Sequence, residues 1–588
     1  MLTSCSDFFD QESDHVIFSD ANHLGNATDT IYSVTGIMNK LQEIADRTIL
    51  LGEVRGDLVT LTNDATSDLR DMADFNMKDD NMYNVPRDYY AVINNCNYFI
   101  ARVDTAMKNN RNEYIFMKEY AAVKAIRAWT YLQLVLNYGR VPFVTEPILT
   151  KLESEADYPQ YDINAVCTYF INDLLPLAEK YGNDYPFYDR IQGKDSQLFW
   201  FPINILLGDL NLWAASTSGN IANYKEAAYR YYKYISERNG TNTSYPVGVT
   251  FIAWPIGIST WEAPDNIQGD MRTYYSTETF GETNELITMI PMNSSRAEGN
   301  YSELPNLFNA VYDNDYKLSI TPSQNMFDIS EAQKFCCLSS SGMSAFYAPT
   351  SLDEHKGGDL RLYNVYKKKT VRQKSSNEII ETYDIRKYST VNVHIYRRQM
   401  LYLRLAEALN MAGYPRMAFE VLSNGLDDRI IKENVYPYYS ESDSLWISKF
   451  EFPERLYRVV TSEDMATNGF KNRFTVGLHT RGSGFTPMNE YYQLPVDTTK
   501  TEAEFTPVLQ AFVDSLILNE SALEFAFEGT RFYDIMRYAL RQTDPGQAMY
   551  KIIGARRGAA NRSEMESVAD KLKEPGNWYL HWNNKIGY

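Results

Sequence analysis

The sequence predicts a mainly α-helical protein, in which tetratricopeptide-like helix pairs form a scaffold beside a long irregular stretch with few short strands. Three observations predict it. Tyr402, Leu405-Ala406, Leu409, Gly413, Ala418, Leu422 and Gly425-Leu426 fall on the spacing of a tetratricopeptide repeat. Apolar residues recur at helical period between Glu113 and Tyr138. From about 240 to 391 the chain is rich in Gly, Pro, Ser, Asn and Tyr, and no helical period is sustained.

Each element follows from local chemistry. In the 113–138 helix, Ala122, Ile126, Trp129, Leu132 and Leu136 make one apolar stripe, and Ala121, Ala125 and Ala128 let a second helix approach closely. Gly139 and Pro142 end it, since glycine supplies a left-handed turn and proline bars continuation. A looser repeat runs from Leu207-Gly208 through Tyr224, Ala227, Tyr231 and Tyr234, with its turn lengthened by an insertion over 216–223. Pro415 opens the second helix of the clearer repeat, where its missing N–H costs nothing. Such pairs bury their faces only against neighbours, so further helices flank them. The middle carries short elements and functional loops, because a structureless segment that long is unusual in a compact domain. Helix returns over 508–527 and 531–540 around a turn at Gly529, and the tail from Asp544 reads as irregular. Trp129, Trp200 and Trp213 lie on helical stripes and read as core.

Composition narrows the function. With 57 basic and 76 acidic residues the net charge is −19, which disfavours nucleic acid, whose phosphates need a basic surface. The run Lys367-Lys368-Lys369 with Arg372 and Lys374 reads as a solvated loop. No run reaches the ~18 apolar residues of a membrane span. At the N-terminus, Leu2-Thr3-Ser4-Cys5 has the form of a bacterial lipobox, so Cys5 is the expected site of lipid attachment. The basic and apolar parts of such a signal are not in this numbering, and an acidic run follows Cys5 as a leash. Cys96, Cys167, Cys336 and Cys337 are too few to staple the fold, and no CxxC spacing exists.

No catalytic or metal constellation emerges. The six histidines are dispersed, and acid pairs such as Glu153/Glu155 and Asp427/Asp428 read as chance neighbours among the 76 acids. Arg481-Gly482-Ser483-Gly484 lacks the rest of a phosphate-cradling motif, and Gly56 of Arg55-Gly56-Asp57 reads as a tight backbone position rather than an adhesion signal. No cofactor is expected.

The chain resembles the SusD/RagB family of Bacteroidetes outer-membrane lipoproteins over most of its length. The resemblance rests on the lipobox followed by Asp7-Phe8-Phe9-Asp10, on Arg55-Gly56-Asp57, and on Glu119-Tyr120 through Ile126-Arg127-Ala128-Trp129 to Asn137-Tyr138-Gly139-Arg140-Val141-Pro142. It also rests on the repeat over 398–426 and on Glu524-Phe525-Ala526-Phe527-Glu528-Gly529-Thr530-Arg531-Phe532-Tyr533-Asp534 onward to Tyr538. The family's Glu-Arg pair reads Glu520-Ser521 here, a departure at a structural position. The resemblance implies a single SusD-like domain over 6–588 after a signal remnant over 1–5. Helical repeats span about 86–239 and 394–541, and a loop-rich binding insert spans about 240–393. It further implies a non-catalytic lid on a SusC-like TonB-dependent transporter β-barrel, tethered to the outer membrane at the cell surface. That lid captures oligosaccharides or, in some members, peptides. A surface glycoside hydrolase is the reading from another class.

Sugars present apolar C–H faces and a hydroxyl rim, which suit aromatic rings beside amides, acids and guanidiniums. Trp254, Trp261, Asp265, Asn266, Arg272, Tyr274 and Tyr275 offer this in the middle loops. Asn63, Asp64, Phe75, Asn76 and Tyr83 offer it between helices. Both regions match, in broad position, those that hold ligand in the family.

Overall fold

The computed structural model describes residues 27–191, 193–238, 278, 285–293, 295–310, 315–333, 336–338, 345–347, 359–423, 425–452, 477–478, 492–558 and 560–582. Its scaffold is a chain of helices, each packed on the next: Pro86–Arg102, Met117–Tyr138, Ile163–Tyr181, Ile203–Ser218, Ile221–Arg238, Arg398–Met411, Pro415–Leu422 and Glu502–Phe525. Arg531–Leu540 then returns to touch both Ile203–Ser218 and the opening helix Ala27–Glu53, which itself lies on Pro86–Arg102. The two ends of the helical run therefore close on each other.

The repeat spacing has a direct physical meaning. A Cβ at Gly208 would sit 2.5 Å from the Tyr231 ring. Glycine thus lets the second helix lay Tyr231 against the first, and the Tyr231 hydroxyl donates to Asp209 Oδ1 at 2.7 Å. In the clearer repeat Tyr402, Leu405, Ala406, Leu409, Ala418, Leu422 and Leu426 are all fully buried. Gly413 and Gly425 take φ of +97° and +72°, where a side chain is strained.

The helix Ile203–Ser218 is buried nearly all round, as its INILLGDLNLW sequence requires. With the turn before it, it is long and apolar enough to cross a membrane, contrary to the sequence reading; that apolar window is wholly buried inside the fold. Trp129, Trp200 and Trp213 are core, and the Trp200 indole donates to Pro186 O at 2.8 Å.

Several expected boundaries move. The 113–138 helix begins at Met117, because Asn109 and Glu113 close a turn of their own. The lengthened turn over 216–223 is absent: the helix runs to Ser218, Gly219 caps it at φ +71°, and the next helix starts at Ile221. The late helix starts at Glu502 rather than at 508, since Thr501 and Glu504 form a reciprocal capping box ahead of Pro507. The tail is not irregular. Asp544 caps Pro545–Ile553, Arg562–Asp570 follows, and Trp578 is buried. The lysine run is a strand, not a loop: Tyr366–Arg372 pairs antiparallel with Ile379–Ile385, and Lys369 meets Asp384 at 2.6 Å.

The described part of the middle carries short helices and two-stranded antiparallel pairs. Val59–Leu61 pairs with Ile320–Pro322, and Leu286–Ile290 pairs with Val393–Arg397, which leads into Arg398–Met411. These pairs fasten the middle to the helical run at two places.

The opening helix crosses the 526–530 turn at near contact. A Cβ on Gly52 would lie 1.6 Å from Gly529 O and 2.9 Å from the Tyr533 ring. Gly52→Ala is expected to cost about 3 kcal/mol by overpacking. Gly36→Ala, in the same helix with nothing within 4 Å of the added carbon, is expected to gain about 0.5 kcal/mol. Urea unfolding midpoints of the two variants check both signs.

Candidate functional site

The 59–83 segment runs from the strand Val59–Leu61 through a turn to the helix Ser67–Ala73, which Thr66 caps by accepting from Leu69 N. Arg70 fixes the turn, donating from Nη2 to Thr62 O at 2.9 Å and to Asn63 O at 3.1 Å. Thr62 donates to Leu318 O, tying the same turn to the middle of the chain. Between this segment and the C-terminal tail lies a cavity of about 100 Å³, lined among others by Thr60, Arg70, Asp74, Arg556, Arg557 and Met565.

Arg556 is the deepest charge there, 3% exposed. Its Nε donates to Gly56 O at 2.7 Å and its Nη1 to Ala73 O at 2.8 Å. Nη2 has no hydrogen-bond partner among the described residues. Burial pulls its pKa down to about 10, so it remains a cation at neutral pH. Arg557 is exposed on the rim and pairs with Glu564, while Lys571 donates to Asp74 O at 2.8 Å. Asp57, the nearest buried acid, is held by Arg531 at 2.6 Å and by Asn325 at 2.8 Å.

Two other cavities are less suited to recognition. One of about 280 Å³ lies against the helix Pro86–Arg102, beside Lys40, Arg87, Tyr90, Asn94 and Ile148. There Asn94 is bound at both ends to the Ile148 backbone, Asn97 donates to Val144 O and Glu146 O, and the Tyr90 hydroxyl donates to Pro142 O. Its main polar groups are already satisfied. The other, about 60 Å³, is an interior gap beside Asp209, which Tyr231, Tyr396 and Arg404 saturate.

Comparison with known proteins matches residues 493–580 to the SusD family. NanU of B. fragilis shares the fold with a TM-score of 0.53 at 15% identity, over 95% of each chain. A SusD superfamily protein of Bacteroides thetaiotaomicron VPI-5482 gives 0.53 at 16% identity, again over 95% of both. A candidate sugar-binding protein of Bacteroides vulgatus ATCC 8482 gives 0.50 at 15% identity over 88% of both. The chain shares the fold of these SusD superfamily structures. No curated protein matches the sequence.

The SusD-like family segment contains the helices Glu502–Phe525 and Arg531–Leu540 and both cavity arginines of the tail. Within it Glu520, at the position of the departed family pair, is fully buried and accepts from Arg361 Nη1 at 2.8 Å. Arg55-Gly56-Asp57 is internal to the SusD-like fold. Arg55 donates to Leu51 O, Trp578 O and Asn137 Oδ1, and a Cβ on Gly56 would meet Arg531 Cγ at 3.0 Å. The acid pairs are structural too: Glu153 completes a capping box with Thr150, and Asp427 caps Ile430. Cys96 and Cys167 are buried free thiols. No group of three or more metal-ligating side chains occurs among the described residues.

Cys5, Trp254, Trp261, Asp265, Asn266, Arg272, Tyr274, Tyr275 and the Arg481–Gly484 run lie outside the described residues. Of the expected contacts in the first region, Asn63 and Asp64 are exposed on the turn that Arg70 holds. Phe75 is half-buried, with φ +53° and its ring 5.8 Å from Phe532. Tyr83 is buried, and burial beside Asp46 and Asp68 pushes its hydroxyl pKa up to about 12. The turn is thus near the cavity, while the two aromatics face packing. Sequence reading did not single out Arg70, Arg556 or Arg557. An adjacent arginine pair in a chain of net charge −19 was the available signal.

Proposed function

We propose that this protein is a non-catalytic, cell-surface lipoprotein that captures oligosaccharides and passes them to a SusC-like TonB-dependent transporter, over which it acts as a lid. The observation carrying this reading is the SusD-like build across 95% of the chain, shared with NanU and the B. thetaiotaomicron protein. The B. vulgatus protein, named as a candidate sugar binder, supports a glycan as ligand. The domain runs over 6–588, with the insert at about 240–393 as binding face, and Cys5 carries the acyl chains. At about 0.8 kcal/mol per buried CH₂, several chains make a durable tether to the outer membrane.

Trp254, Trp261, Tyr274 and Tyr275 stack on sugar faces in this reading, and Arg272, Asn63 and Asp64 meet hydroxyls, with Phe75 and Tyr83 shaping the floor. Calorimetry against an oligosaccharide panel and a peptide mixture tests the ligand class. Alanine at Trp254, Trp261 or Tyr275 is expected to weaken glycan binding about tenfold, or ~1.4 kcal/mol. Unchanged affinity in all three variants removes the site. Binding of peptides alone assigns the chain to peptide import, and new reducing ends that scale with protein concentration make it a hydrolase. Copurification with a large β-barrel tests the transporter role.

A further inference from the structure

We infer that the cavity between the 59–74 segment and the C-terminal tail is an anion subsite that receives a carboxylate or sulfate group carried by the glycan. Its extension to a glycan rests on the proposed function; the anion site itself does not.

The argument begins with charge. In a chain of net charge −19, this cavity gathers Arg70, Arg556 and Arg557 on its lining, with Asp74 opposing them. Arg531–Asp57 and Arg557–Glu564 are closed pairs. That leaves Arg70 and Arg556 facing Asp74, with Lys571 on the Asp74 carbonyl. The local balance is therefore positive where the molecule as a whole repels anions.

The second step is the unmade hydrogen bond. A buried guanidinium nitrogen without an acceptor costs on the order of 1–3 kcal/mol. Arg556 keeps two arms on backbone carbonyls, which fix the plane of the guanidinium, and leaves Nη2 over. A fixed fork with a free N–H suits an oxyanion better than a neutral hydroxyl, because charge-assisted bonds are about twice as strong.

The third step is size. The cavity, about 100 Å³ and open at its mouth, takes a carboxylate or sulfate group. The sugar ring carrying that group would extend to the mouth, where Asn63 and Asp64 are exposed on the turn that Arg70 holds.

The test uses the full chain. At millimolar concentrations, where general salting effects are small, sodium sulfate or sodium acetate is expected to raise the melting temperature above sodium chloride of equal ionic strength, by about 1 °C at tenfold over Kd for a chain of 588 residues. Arg70→Glu, on the surface, is expected to abolish that difference. Arg556→Gln should do the same, with circular dichroism checking that it folds. Calorimetry then compares a tetragalacturonate with its methyl ester, which keeps the sugar and removes the charge. The acid form is expected to bind at least about tenfold tighter, and Arg70→Glu to erase the preference. Equal stabilisation by chloride, sulfate and acetate overturns the subsite. Neutral glycans binding without any anion effect does so too, while sparing the glycan reading. An anion effect with no glycan bound from either panel keeps the subsite and sinks the glycan reading.

Discussion

Arg397→Met is expected to destabilise the protein by about 3–5 kcal/mol, the range for breaking a buried, hydrogen-bonded charge cluster from one side. Arg397 is 2% exposed and ends the strand Val393–Arg397. Its Nε donates to Glu528 Oε2 at 2.7 Å, its Nη1 to Glu524 Oε1 at 2.7 Å, and its Nη2 to Glu524 O at 2.7 Å. Lys387 binds Glu528 and the Glu524 and Ala526 carbonyls, and Arg361 joins Glu524 to Glu520 and Asp359. Methionine fills much of the volume but leaves Glu524 and Glu528 each short of a cation inside the fold. A stability of 5–15 kcal/mol is usual for a domain, so the loss is a large share of the whole. The urea midpoint reads it, with Arg429→Met as reference. Arg429 pairs with Glu433 on the surface at 3.0 Å and should cost under about 0.5 kcal/mol. A lattice that can be broken at Arg397 without loss would mean that it does not clamp the strand and the 524–529 turn together.

Much of this fold was legible because its signals are local. The spacing from Tyr402 to Leu426 reads as a repeat since each residue fills a fixed place between two helices. Gly139 and Gly529 mark turns because φ of +74° and +79° favour glycine. Boundaries failed where a cap or a hydroxyl decides. Thr501 with Glu504 starts a helix ahead of a proline, and Ser216 and Ser218, bonding back to Leu212 O and Ala214 O, lie in the helix that spans the supposed insertion. The tail was misread because its helices are short, and their stability comes from distant partners such as Lys573 under Gly546. The same distance hides the cavity. Arg70 and Arg556 stand 486 positions apart, and no pattern of period 3.6 or 2 links them. Composition alone held the hint, as an arginine pair in an acidic chain.

Stability is expected to peak in mild acid, between about pH 4.5 and 6, and to fall on both sides. Glu53 is fully buried, accepting from Phe527 N at 2.8 Å and Gly529 N at 3.0 Å, and burial pushes its pKa up from 4.5 to about 8. Asp46, less buried, is pushed up from 3.8 to about 6 by the same cause. An acid whose folded pKa is raised holds a proton that the unfolded chain releases, so its contribution grows as pH falls from about 8 toward 4.5. Between pH 7.5 and 5, Glu53 contributes on the order of 3 kcal/mol and Asp46 less. Glu407 runs the other way. Despite burial, Arg537 at 3.0 Å and Arg541 at 2.5 Å hold its pKa down to about 2. Its stabilisation is therefore present above about pH 4.5 and is lost as pH falls toward 2, by on the order of 2 kcal/mol at pH 3. Glu278, held well below its ordinary value despite burial by hydrogen bonds from His394, Lys194, Thr390 and Asn392, runs the same way, as does Glu528 beside Arg397 and Lys387. Below pH 5 these three losses together outweigh what Glu53 and Asp46 still gain, so urea midpoints at pH 7.5, 5 and 3 should rise and then fall. Glu53→Gln removes the titrating proton and should flatten the limb between pH 7.5 and 5, whatever its absolute stability, while leaving the acid limb in place. A midpoint that climbs steadily from pH 5 to 7.5 in the parent chain would mean that Glu53 is ionised in the folded state, and that the Gly529 turn is held by a carboxylate rather than by a neutral acid.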